Sequence, residues 1–320
     1  MPHPSEIRKR GGAAGAANRS EAAAAAASAG ASTRNELLCL AAVPLAWDLD
    51  ATKLNGFRID LTWRKAALSV VDTSHNEFWN LWTDVVPLLT FAASCLHVCS
   101  EGPQPQPASA DLYYAIVATI AATVFQHAAS LFAHTFFCVS ARLSHAIWFI
   151  DYAGIFLEFV WNAPVMALIA QPSLSSSGWL PWWNAVNVLA TIGLLGAAAF
   201  VVLTYSPPAS TGAERQPTVG FFESMCLYGA YSAVPSVGLL VVPNFGLTML
   251  AAHRADASLH AVAPLMLLSL LIKGSRFPER FAKPGTFDFS ILHSHALWHV
   301  CVYVVQNMYL VAVLRALAQA

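Results

Sequence analysis

Apolar residues run in long blocks along this chain rather than alternating with polar ones. A membrane-spanning helix takes about 20 mostly apolar residues. Blocks of that kind fall at residues 78–99, 112–138, 146–170, 182–205, 221–242, 259–272 and 293–314. The pattern predicts seven transmembrane helices, of which the sixth is short and contains Pro264. Ahead of the first block, residues 55–76 mix charged and apolar positions, which predicts an amphipathic helix lying on the membrane surface. Ala, Gly and Ser dominate from Gly11 to Ser32, a composition that buries too little apolar area to offset the entropy of ordering. The expected organisation is a disordered tail over 1–54 and an all-α, polytopic membrane domain over 55–320.

Composition strengthens the membrane assignment. Charged residues make up 11% of the chain and hydrophobic residues 57%, with a mean hydropathy of +0.53. A soluble domain carries about 25% charged residues. The net charge of -1 gives no basis for a nucleic-acid partner. All the lysines and arginines except Arg254 and Arg315 fall on one side of the predicted membrane. That bias places the N-terminus in the cytoplasm and, with seven spans, the C-terminus on the extracellular or lumenal side. The six cysteines show neither CxxC pairs nor a framework spacing and read as buried thiols.

Ionisable side chains inside apolar spans are costly and are functional candidates for that reason. Ser130 and His134 lie four residues apart near the cytoplasmic end of the second span. Asp151 opens the third span, and His295 and His299, again four apart, open the seventh. Residues at i and i+4 share a helix face, so topology brings these five groups to one membrane depth. Three imidazoles and an open position make the pattern of a catalytic zinc site. A HxxxH pair alone equally serves neighbouring side chains as a hydrogen-bonding pair. A third histidine and a carboxylate at the same depth favour a metal. Ser130 also reads as a helix-packing hydroxyl, Asp151 as a structural hydrogen-bonding carboxylate, and Cys138 as core. His127, His145 and His293 read as wall residues, and Glu158 and Glu223 as partners in helix–helix hydrogen bonds. The polar run from His75 to Asp84 reads as an interfacial belt of tryptophans and capping residues.

These residues carry a resemblance. His75-Asn76-Glu77 and Asn80-Leu81-Trp82-Thr83-Asp84 are similar to the first signature of the progestin and adipoQ receptors, a family that includes adiponectin receptors and hemolysin III-like proteins. Ser130, His134, Cys138 and Asp151-Tyr152-Ala153-Gly154-Ile155 resemble the second. Pro278-Glu279-Arg280, Pro284-Gly285-Thr286-Phe287-Asp288 and Ser294-His295 with His299 resemble the third, and Gly56-Phe57-Arg58 resembles an upstream Gly-Tyr-Arg. The resemblance implies a seven-helix fold with a cytoplasmic N-terminus, zinc on His134, His295 and His299, and Ser130 and Asp151 as supporting or catalytic groups. Asp84 stands where the family has a histidine, Val139 replaces a common histidine and Ala296 a common glutamine.

Two functions are consistent with this reading. One is a signalling receptor, with an extracellular ligand the sequence does not identify, whose zinc is purely structural. The other is a receptor whose Zn2+ centre hydrolyses a lipid amide, with Asp151 acting on water and Ser130 on the oxyanion. Membrane lipids, ceramide or a free fatty acid, are the ligands that the second implies.

Overall fold

The computed structural model of the chain describes residues 37–38, 53–103, 107–170, 185, 188–189, 192, 242–254 and 256–319. Among these residues the structure is helical, apart from an isolated antiparallel bridge between Leu38 and Phe57.

The first helix, α1 (Trp63–Leu68), has six residues; Thr62 caps it by accepting from Lys65 N, and it continues as a 3-10 turn over Ser69–Val71. Ala66 is its buried face, packed with Ala133, Phe137, Cys138 and Ile147, while Trp63 and Leu68 stay exposed. The surface helix expected over 55–76 is thus a short one. Residues before it are used differently. Gly56 and Asp60 have positive φ, and the backbone of residues 54–56 is spent on contacts with other segments, so no helix can propagate through it.

Among the described residues four long helices and two shorter ones follow: α2 (Phe78–Glu101), α3 (Pro107–Phe136), α4 (Ala141–Ala170), α5 (Val242–Arg254), α6 (Val262–Ser275) and α7 (Ser294–Gln319), of which α5 and α6 are the short pair. Among the described residues, four helical stretches are long and apolar enough to cross a membrane: Phe78–Glu101, Ala110–Val139, Ala257–Ser275 and Ser294–Gln319. They match the first, second, sixth and seventh expected spans. The sixth is extended at its start by the 3-10 turn Ala257–Ala261. The third expected span coincides with α4. The fourth and fifth, 182–205 and 221–242, fall outside the described residues except at 185, 188–189, 192 and 242.

α3 packs between α2 and α4, and α7 packs on α6 and α2. Gly154 lets α3 and α4 close up: a Cβ there would stand 3.0 Å from Gln126 Cα, the small-residue contact that substitutes for hydrophobic drive between helices in lipid. One half of the bundle is apolar, with Phe91, Ile116, Met166, Leu259, Val305 and Val313 buried together. The other half holds the buried His134, His299, Asp84 and Asp151 and the partly buried Glu77. Large apolar side chains such as Leu267, Leu270 and Leu271 on α6 point outward, which suits a lipid-facing surface.

Candidate metal centre

Three imidazoles meet at the polar end of the bundle. α3 carries His134 in its last turn, and α7 carries His295 and His299 one turn apart in its first two turns. Their ring centroids are 5.0 Å (His134–His295), 5.2 Å (His134–His299) and 4.7 Å (His295–His299) apart. One ring nitrogen from each lies within 4.8 Å of the other two, close enough to hold a metal ion. His134 and His299 are buried and His295 is partly buried.

The surroundings settle where these rings point. His134 Nδ1 lies 2.7 Å from Glu77 Oε2. Its Nε2 is buried and has no hydrogen-bond partner, which is rare and expensive for a buried polar atom unless something else binds it. His299 Nδ1 lies 3.0 Å from Thr83 Oγ1 and 3.4 Å from Asp84 Oδ2. His295 differs: its Nδ1 meets Lys273 Nζ. The donor set of three imidazoles with carboxylates behind two of them fits a first-row metal such as zinc.

The other expected residues are also here. Ser130 donates to Asp84 Oδ2 at 2.8 Å. Asp151 is buried, with His134, Asp84, Ser130 and Lys273 around it. Glu158 faces Gln306 and His127, as a helix–helix partner should. His293 is buried beside the cluster, and Ala296 N donates to its Nδ1 at 3.3 Å. Glu223 and the side chain of His145 lie outside the described residues.

The remaining motif residues turn out to be scaffold. Arg58 is buried, donates to the His134 carbonyl at 2.6 Å, also meets Ser69 Oγ, and lies over the Phe137 ring. Glu279 caps α7 by accepting from Ser294 N at 2.7 Å and Ser294 Oγ at 2.8 Å, which anchors the turn that bears His295. Asp288 accepts from Leu54 N at 3.1 Å and Asn55 N at 2.8 Å. Asn76 donates its backbone N–H to Gly56 O at 3.1 Å. The segment from Lys53 to Arg58 is therefore tied to the ends of α2, α3 and α7.

Sequence reading missed Glu77, Thr83, Asp84 and Lys273 as neighbours of the histidines. Glu77 and Asp84 were absorbed into an interfacial belt. In fact Asp84 is 2% exposed and accepts from His127 Nδ1 at 3.0 Å as well as from Ser130. A seven-residue spacing on α2 was the signal available, since it puts both carboxylates on one face.

The haemolysin-III related family profile matches residues 72–309, which includes every histidine of the cluster. The chain belongs to the haemolysin-III related family. Heptahelical transmembrane protein 1 of Arabidopsis thaliana is 29% identical over 280 residues, 84% of this chain and 77% of that protein. Membrane progestin receptor delta of Mus musculus is 29% identical over 258 residues, 75% of this chain and 67% of the relative. Heptahelical transmembrane protein ADIPOR2 of Oryza sativa subsp. japonica is 32% identical over 187 residues, 58% of this chain and 74% of the relative. The family and the apolar helices make this haemolysin-III related chain an integral, multi-pass, all-α membrane protein.

Proposed function

We propose that this haemolysin-III related chain is a membrane receptor that holds one zinc ion on His134, His295 and His299, and that the centre hydrolyses a lipid amide such as ceramide. The observation that carries the reading is the buried, unpartnered Nε2 of His134, turned into a ring of three imidazoles beside Asp151. Basic-residue bias supports a cytoplasmic position for the site, with the N-terminus inside. The names of relatives as membrane progestin receptors support a receptor role and a lipid-like ligand.

A zinc ion bound there would polarise an amide carbonyl and acidify a water molecule towards a pKa of about 7. Asp151, buried beside His134, would be the carboxylate that takes a proton from water and returns it to the departing amine nitrogen. Ser130 has a single hydroxyl proton, and it is directed at Asp84. In that state Ser130 braces a carboxylate; to donate to an oxyanion it must first turn away. The products are a fatty acid and a sphingoid base.

The same Ser130–Asp84 bond favours a second reading, in which the zinc is structural and the protein is a receptor without turnover. Release of fatty acid from a labelled ceramide separates the two. Wild-type protein in detergent should turn over, and Asp151→Asn should retain zinc while losing about 10²-fold in rate. Wild-type turnover no faster than empty micelles, across several acyl lengths, rejects the hydrolase and leaves the structural zinc.

A further inference from the structure

α2 contributes no histidine to the cluster, yet its first two turns face two of the three. We infer that Glu77 and Asp84 are positioning residues that decide which ring nitrogen His134 and His299 offer to an ion. The inference rests on the metal reading and adds to it residues that no part of that reading requires.

A neutral imidazole has one N–H and one bare nitrogen. An ionised carboxylate can only accept. His134 Nδ1 lies 2.7 Å from Glu77 Oε2, so Nδ1 carries the proton and Nε2 presents the lone pair. That Nε2 is the atom left without a partner. For His299 the reasoning takes one more step. Thr83 sends its only hydroxyl proton to backbone carbonyls of its own helix, 2.8 Å to Trp79 O and 3.0 Å to Asn80 O. Its oxygen is left to accept, and so is Asp84 Oδ2, so Nδ1 of His299 must be the N–H. Both rings then turn Nε2 towards the cluster centre.

Each carboxylate is itself held. Glu77 receives Lys53 Nζ on Oε1 at 2.9 Å and Asn80 Nδ2 on Oε2 at 2.6 Å. Asp84 receives His127 Nδ1 on Oδ1 at 3.0 Å and Ser130 Oγ on Oδ2 at 2.8 Å. Lys53 Nζ also donates to Asn76 O at 3.1 Å, so the chain Lys53–Glu77–His134 begins in the segment that precedes α1. Ligand partners of this kind fix ring orientation and raise ligand basicity, and losing one weakens metal binding about 10–100-fold.

The test uses the full chain in detergent, stripped with a chelator and titrated with zinc and with cobalt(II) against a competing chelator. Glu77→Gln and Asp84→Asn should each weaken both ions about 10–100-fold. Lys53→Met should weaken them less, and Lys53→Arg should restore wild-type affinity. Asp256→Asn is the comparison: it loosens the cap of the 3-10 turn Ala257–Ala261 and the Arg315 contact, away from the histidines, and should lower the melting temperature of the stripped protein while leaving affinity unchanged. A second measurement needs no variant. Nitrogen-15 spectra of histidine-labelled, metal-free wild type should show two buried rings as Nδ1–H tautomers that shift at Nε2 when zinc is added. Unchanged affinity in both carboxylate variants, or Nε2–H tautomers for these rings, overturns the inference while the metal reading stands. A wild-type chain that takes up neither ion overturns both.

Discussion

Lys273 Nζ meets Nδ1 of His295, so the three histidines of the cluster are not equivalent. His134 and His299 have acceptors at Nδ1, whereas His295 has a donor. A ring that accepts at Nδ1 carries its proton on Nε2 and cannot offer that atom to an ion. Metal binding by His295 therefore requires the lysine to withdraw, or the ion to take its place at Nδ1.

Lys273→Met removes that competing donor and a positive charge near the site. Zinc affinity should rise about tenfold or more, measured by competition with a chromogenic chelator. Equal or weaker binding in the variant would mean that the lysine contact does not persist in the protein that binds metal.

The second prediction concerns Gly56, whose φ of +79° is unfavourable for any residue with a Cβ, and whose missing Cβ would stand 2.7 Å from Phe289 Cε1 and 2.9 Å from Asn76 N. Handedness alone costs about 1–2 kcal/mol and the overlap about 1–3 kcal/mol more. Gly56→Ala should lower the melting temperature and loosen the segment from Lys53 to Arg58, seen as faster amide exchange there. A variant that melts with the wild type would show that this segment contributes little to the fold.

Much of the site was legible because helical spacing and topology act together. His295 and His299 share a face at i and i+4, and alternating spans bring His134 to their end of the bundle. For the carboxylates, spacing gives only the shared face of Glu77 and Asp84; a pairing such as Asp84 with His127 depends on how far each helix is rotated about its axis, which spacing does not give. Lys273 was misread for a related reason. It served in the sequence only as a positive charge that orients the loops, and its four-carbon stem lets it reach His295 from the last turn of α6. The motif residues Arg58, Glu279 and Asp288 had no role in the sequence reading because each also binds backbone atoms, whose positions no pattern of side chains specifies.

A third prediction follows from His75. It is 1% exposed, donates from Nε2 to Ser69 O at 2.8 Å and accepts from Glu77 N at 3.1 Å on Nδ1. Burial, reinforced by the Arg58 charge against the weaker pull of Glu77 and Asp72, lowers it from its ordinary 6.5 to about 4. The folded state thus resists protonation that the unfolded state accepts. Its contribution is present above pH 6.5 and is lost as pH falls towards 4, on the order of 3 kcal/mol over the full shift. In chelator, the melting temperature of wild type should fall more steeply between pH 7 and pH 5 than that of His75→Gln. Parallel slopes would assign the acid sensitivity to other groups.

A metal ion held by His134, His295 and His299 would travel with the protein through purification. Elemental analysis of the full chain, purified in detergent without chelator, tests it most directly, with His295→Ala alongside. Wild type should carry about one zinc per chain and the variant far less, with a lower melting temperature, because an ion bound only by the folded state stabilises it. Wild-type protein free of any transition metal, or a variant that retains the full amount, would contradict it.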